Sequence, residues 1–151
     1  MKIEIYTDGA CSKNGSKDAI GGWAWVLLED GERKFQDSGR YEGATNNIVE
    51  LLAIIEALKF VKDTIKPGLF SQITIYSDSS YCIKGITEWI HNWRKNGFWR
   101  DKQKTQELKN RELWMELDKL DFHFNIEWKW VKGHAGNEWN EYVDKLAKEA
   151  I

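Results

Sequence analysis

The alternation of apolar and polar positions changes period several times along the chain, and each change marks an element. Residues 2–8 alternate and run into Asp8-Gly9, which predicts a strand ending in a turn. Residues 20–28 (Ile-Gly-Gly-Trp-Ala-Trp-Val-Leu-Leu) predict a second strand, Glu29-Asp30-Gly31-Glu32 a turn, and residues 33–41 a third strand. Three strands in succession with no helix between them imply an antiparallel meander. Thr45-Asn46-Asn47 then offers capping side chains for a helix over 47–62. Pro67-Gly68 breaks the chain, 72–77 predicts a fourth strand, and Ser79 and Ser80 can cap a further helix. Residues 88–96 and 105–119 have helical character, and 124–131 alternate as a fifth strand. Gly133 and Gly136 bound a loop, and 138–150 form a last helix with Tyr142, Val143, Leu146, Ala147 and Ala150 on its apolar side. Meander followed by strand–helix alternation gives an α/β fold: a five-stranded mixed sheet with flanking helices. The later strands need helical crossovers and so run parallel to the first.

Composition limits what such a sheet can be. A chain of 151 residues fits one domain, 1–151, and a hydrophobic fraction of 42% is enough for a core. Charges break up the apolar residues of the N-terminus, so no signal peptide is expected. There is no run of about 18 apolar residues that could span a membrane. Cys11 and Cys82 have neither CxxC nor zinc-like spacing and read as free thiols of a reducing, cytoplasmic compartment. The net charge of −2 argues against a nucleic-acid partner, but its distribution argues for one. Residues 84–111 hold eight basic and three acidic side chains, an excess of five positive charges, and leave −7 for the rest. A local basic patch is what meets phosphates.

The candidate chemistry lies in carboxylates. Ile5-Tyr6-Thr7-Asp8 is matched by Ile75-Tyr76-Ser77-Asp78, two strand-ending aspartates each two residues after a tyrosine. On adjacent parallel strands, about 4.8 Å apart, the two carboxylates would repel unless a cation lies between them or one is protonated. The bland alternative is two aspartates that start two turns. Glu50 shares its helix face with Ala53, Ile54, Ala57 and Val61, whereas Glu56, Lys59 and Asp63 mark the solvated face. A carboxylate on the buried face needs a cation or a proton, unless it stays wet in the first turn near the helix dipole. Asp144 precedes Lys148 by four residues, and by spacing alone it reads as half of an exposed ion pair contributing about 0.3–0.5 kcal/mol. Oxygen donors without a soft ligand suit Mg²⁺ or Mn²⁺ rather than zinc.

His134 lies in Val-Lys-Gly-His-Ala-Gly-Asn, where flanking glycines predict a mobile loop and an unperturbed imidazole titrates near pH ~6.5. A solvated loop histidine is the alternative; His91 and His123 have no comparable context. The stretch Trp89 to Arg100 interleaves tryptophans with cations, and Trp89 and Trp93 share a helix face. Aromatic planes pack on bases or sugars while cations meet phosphates. Trp23, Trp25, Trp128 and Trp130, alternating on strands, read as core.

Together these motifs resemble the type 1 ribonuclease H family over nearly the whole chain. Tyr6-Thr7-Asp8-Gly9-Ala10, Thr45-Asn46-Asn47 with Glu50, Ser77-Asp78-Ser79, Trp89-Ile90-His91-Asn92-Trp93, and Lys132-Gly133-His134-Ala135-Gly136 through Asp144 match in order. The resemblance implies a ribonuclease H-like fold and hydrolysis of the RNA strand of RNA–DNA hybrids, leaving 5′-phosphate and 3′-hydroxyl ends. It implies two Mg²⁺ ions, with Mn²⁺ as substitute, held by Asp8, Glu50, Asp78 and Asp144, and His134 as a mobile proton-transfer residue. Gly9, Cys11, Asn14, Asn46 and Ser79 match RNA-strand contacts, with Glu50 beside the 2′-hydroxyl. Trp89 and Trp93 match the basic protrusion that grips the DNA strand, and Thr45 and Asn110 its DNA-phosphate pocket. A monomer that removes RNA primers and hybrids during replication and repair is the implied role. Two positions depart from the pattern: Gly43 stands where the pocket often has an arginine, with Arg40 a candidate replacement, and Ser80 stands where glutamine is common. No further hybrid-binding module is expected, so processivity should be low. A non-catalytic nucleic-acid-binding domain and a DNA-cutting enzyme of related fold remain competing readings.

Overall fold

The computed structural model describes residues 1–68, 71–133 and 135–151. Strands β1 (Lys2–Ser12), β2 (Ile20–Glu29), β3 (Glu32–Glu42), β4 (Gln72–Ser77) and β5 (Ile126–Trp130) form one sheet in the order β3-β2-β1-β4-β5. The first three pair antiparallel, and β4 pairs parallel with both β1 and β5. Asp30 and Gly31, with φ of 50° and 87°, make the two-residue turn between β2 and β3. Both left-handed positions there match the twist of a hairpin.

Helices make the crossovers. Helix α1 (Asn46–Phe60) continues through a π-helical turn, Val61–Ile65, and leads to β4. After β4 come α2 (Ser80–Lys84), a second π-helical turn Gly85–Trp89, α3 (Ile90–Lys95) and α4 (Arg111–Phe122) before β5, and α5 (Glu138–Glu149) closes the chain. One sheet face packs Ile3, Ile5, Trp25 and Ile75 against Leu51, Ile54 and Leu58 of α1 and Trp114 and Leu117 of α4. The other face packs Tyr6, Ala24 and Val26 against Val143 and Ala147 of α5. The sheet thus has a core on each face, and α1 buries most of its residues from Val49 to Leu58 in one of them, while Lys59 pairs with Glu56 and Glu116 toward solvent.

Three expectations shift. The helix expected over 105–119 begins only at Arg111. Upstream, the Asp101 carboxylate accepts from the Thr105 and Gln106 N–H groups, and Trp99 bridges Glu107, so side-chain and cross-chain bonds displace helix there. The helix expected over 88–96 is the end of a longer helical run that starts at Ser80. Finally, Trp130 is not core. Trp25 is 2% exposed and Trp130 53%, and among the described residues Trp130 joins neither apolar cluster.

Candidate metal centre

The site forms where β1 and β4 end together. Their register pairs Tyr6 with Tyr76 and Thr7 with Ser77, so the matched sequence repeat is a matched pair in space. The two tyrosine rings stack at 4.4 Å, 7° from parallel. One step further along the two chains come Asp8 and Asp78. Asp8 shares the α5 face of β1 with Tyr6, which turns it toward Asp144, and the Asp144 carboxyl lies within hydrogen-bonding reach of Asp8.

Glu50 arrives from the other face. Thr45 caps α1, its hydroxyl accepting the Ile48 N–H at 3.2 Å. Gly9 lets the helix come close, since a Cβ there would lie 2.7 Å from the Glu50 nitrogen and from the Val49 side chain. Across that gap the Gly9 N–H donates to Glu50 Oε1, and at 2.9 Å to Asp8 Oδ1. Glu50 is only 7% exposed, so it does not sit wet in a first turn. Asp8, Glu50 and Asp78 each offer an oxygen within 4.8 Å of the others'. Asp144 stands outside that trio, bound by Lys148 at 3.0 Å as spacing predicted, yet half-buried where spacing predicted an exposed pair.

The electrostatics are those of a site suited to a cation. Burial, reinforced by the Asp78 and Asp144 carboxylates, pushes Asp8 up to about 7, against the pull of hydrogen bonds from Glu50 and Gly9. Burial first, then the Asp8 carboxylate, pushes Glu50 well above the usual carboxylate range. Asp8 Oδ2 is shut off from solvent and has no hydrogen-bond partner among the described residues. A buried, unpartnered carboxylate oxygen facing two more carboxylates fits a hard divalent cation, which prefers several oxygen ligands. Asp8, Glu50 and Asp78 could hold one such ion directly, and Asp144 could add its carboxylate from the Asp8 side.

The remaining predicted residues fall around this centre with unequal roles. Asn14 Oδ1 accepts the Asn46 N–H at 3.0 Å, the Cys11 thiol donates to the Ala44 carbonyl, and Ser79 Oγ caps α2 by accepting the Cys82 N–H at 3.1 Å. Both cysteines are free thiols. Asn110, with φ of 60°, precedes α4, and its amide donates to the Tyr81 hydroxyl at 3.2 Å. Tyr81 also accepts from the Trp114 indole at 2.9 Å; sequence alone gave no reason to pick it. Trp89 is 39% exposed, whereas Trp93 lies 5.0 Å from the Trp114 ring against the core, so the two are not an equal exposed pair. Arg40 cannot replace the missing arginine beside Thr45. It pairs with Gly22, whose added Cβ would strike Ala147 of α5, so Arg40 projects to the α5 face. Tyr41 pairs with Gly21, on the α1 face, and lines a cleft there with Ile48, Lys109 and Asn110. His134 lies outside the described residues. A cavity of about 830 Å³ exists at the far end of α1, between Lys59, Arg94, Asp118 and Phe122; its mixed, paired charges converge on no common point.

The chain is similar to known proteins over its whole length. A family model described as RNase H matches residues 1–151. A protein named Ribonuclease H from Treponema denticola is 45% identical over 160 residues, covering 99% of this chain and 97% of its own. LC9-RNase H1, described as a type 1 RNase H with the type 2 active-site motif, superposes with a TM-score of 0.83 at 29% identity, covering 99% of this chain and 71% of that one. LC11-RNase H1, solved in complex with an RNA/DNA hybrid, shares the fold with a TM-score of 0.73 at 21% identity, covering 99% and 96%.

Proposed function

Since the chain belongs to the ribonuclease H family, and is by that membership an endoribonuclease, we propose that it hydrolyses the RNA strand of RNA–DNA hybrids by a two-metal-ion mechanism, leaving 5′-phosphate and 3′-hydroxyl ends. The observation that carries the reading is Asp8 Oδ2, buried and unpartnered within a cluster of carboxylates. No donor among the described residues is bonded to that oxygen, and a divalent cation would satisfy it.

Asp8, Glu50, Asp78 and Asp144 are the proposed ligands, with Mg²⁺ the natural ion and Mn²⁺ a substitute. Two such ions would supply an activated water and charge neutralisation at the leaving oxygen. The chain's own residues do the rest. Gly9 fixes Glu50 and Asp8 through one shared N–H, so neither carboxylate needs to reorganise when phosphate arrives. Glu50 lies beside the 2′-hydroxyl, the group that distinguishes RNA from DNA. His134 takes or returns a proton at the attacking or leaving oxygen. Gly9, Cys11, Asn14, Asn46 and Ser79 line the RNA side. Thr45 and Asn110 meet a DNA phosphate, and Trp89 and Trp93 carry the basic protrusion. The solved complex of LC11-RNase H1 with a hybrid supports the substrate class. No described helix is long and apolar enough to cross a membrane, and a cytoplasmic monomer that removes hybrids during replication and repair is the proposed setting.

The competing reading, a non-catalytic binder of the same fold, has no use for clustered negative charge where phosphate would lie. The test is a panel of labelled RNA–DNA hybrid, duplex RNA and duplex DNA, each with Mg²⁺ or with EDTA. Cleavage confined to the RNA of the hybrid and abolished by EDTA is expected. Binding without cleavage would favour the competing reading, and cutting of duplex DNA would contradict the substrate class.

A further inference from the structure

Trp130 has a job that core packing does not explain. It is the last residue of β5, 53% exposed, and belongs to neither apolar cluster among the described residues. An indole left that open is held by its one hydrogen bond: Nε1–H donates to the main-chain oxygen of Asp78 at 3.1 Å. Asp78 lies one residue past the end of β4, where the strand ladder has stopped. The last ladder bond, Val131 N–H to the Ser77 carbonyl at 2.9 Å, falls one residue short of it. The chain leaving β5 closes on Asp78 from the other side: a Cβ at Gly133 would lie 3.1 Å from Asp78 Oδ2. Asp8 and Glu50 are both bonded by the Gly9 N–H, deep in the protein. Asp78 is half-buried, and its position is set from the end of β5.

We infer that Trp130 is a positioning residue for Asp78: its indole N–H fixes the chain at the exit of β4, so that the Asp78 carboxylate faces Asp8 and Glu50 and the three bind a divalent cation together. This rests on the metal-dependent nuclease reading above. The physical reason is the narrow tolerance of a small, hard cation for ligand distance and angle. A neutral hydrogen bond that sets one of three ligands translates into about a 3- to 10-fold effect on affinity.

The test uses Mn²⁺ as the probe, on the full chain without nucleic acid. Free Mn²⁺ is counted by electron paramagnetic resonance in a titration of the wild type and of Trp130→Phe, which keeps an aromatic ring and loses the donor. Mn²⁺ binding weakened about 3- to 10-fold is expected, with KM for hybrid unchanged when Mn²⁺ is saturating. Equal Mn²⁺ affinity in the two proteins overturns the role of Trp130, whereas a wild type that binds no Mn²⁺ overturns the nuclease reading instead. Should Trp130→Phe not fold, indole hydrogen exchange in the wild type decides the matter. The Trp130 N–H must exchange more slowly than that of the half-exposed Trp89; equal or faster exchange overturns the inference.

Discussion

Replacing Asp8 with asparagine should stabilise the metal-free protein at neutral pH while removing its activity. In the unfolded chain Asp8 ionises near 3.8, and in the fold burial and neighbouring carboxylates hold it up to about 7. Between those values the folded state keeps a proton that the unfolded state has lost, so stability falls as pH rises through the window. Each unit is 1.36 kcal/mol, so the full cost by pH 7 approaches about 4 kcal/mol; it is about half that at pH 5 and small at pH 4. Asparagine keeps an acceptor for the Gly9 N–H, carries no charge, and relieves Glu50 of its nearest repulsion. Asp8→Asn should therefore be about 2–4 kcal/mol more stable than wild type at pH 7.5 in EDTA, a rise in Tm of roughly 5–15 °C. Thermal melts of both proteins from pH 4 to 7.5 test this. The gap should shrink toward acid, and millimolar Mg²⁺ at pH 7.5 should close it by binding only the folded wild type. A variant that melts at or below wild type at pH 7.5, or a gap that ignores pH, would refute the electrostatic account of the site.

Other consequences follow from the same geometry. Gly9→Ala places a methyl 2.7 Å from the α1 backbone, so roughly 1–3 kcal/mol of stability should be lost in denaturant titration, with activity falling further as Glu50 is displaced. Asn110→Ala should raise KM for hybrid about 5- to 50-fold, by loss of one phosphate contact, whereas Arg40→Ala, on the α5 face, should leave KM within about twofold of wild type by the same estimate. His134→Ala should slow turnover about 10²-fold or less without abolishing it, as for loss of one proton-transfer group, and single-turnover kinetics would show whether chemistry or product release is affected.

The sequence carried most of the sheet and three of the four carboxylates, for identifiable reasons. Strand alternation is clearest where one face of a strand meets solvent, as in the edge strand β5, whereas β2, covered on both faces, reads as the continuous apolar run Ile20 to Leu28. The Tyr-Thr-Asp and Tyr-Ser-Asp repeat was legible because parallel strands in register turn equal sequence into equal position. Glu50 stood out because its helix face was otherwise apolar. Asp144 did not, since its bond to Lys148 is real and local, and only the tertiary approach of α5 to β1 brings it beside Asp8. Trp130 was misread because alternation gives the face of a residue but not whether anything covers that face. The helix limits near residue 110 were missed because Asp101 diverts backbone N–H groups that a propensity count assigns to a helix. Arg40, the candidate for the place that Gly43 leaves, lies on the α5 face, because the pleat turns it away from Thr45.

The most direct measurement is RNA cleavage in a hybrid as a function of Mg²⁺ concentration, for the wild type and for Asp8→Asn held at a temperature where both are folded. The wild type should be inactive in EDTA and rise to saturation with Mg²⁺, while Asp8→Asn stays at least about 10³-fold slower at every concentration, as expected when a principal ligand is lost. Cleavage by Asp8→Asn at a rate near wild type, or wild-type cleavage that persists in EDTA, would contradict the claim that this carboxylate cluster works by holding metal.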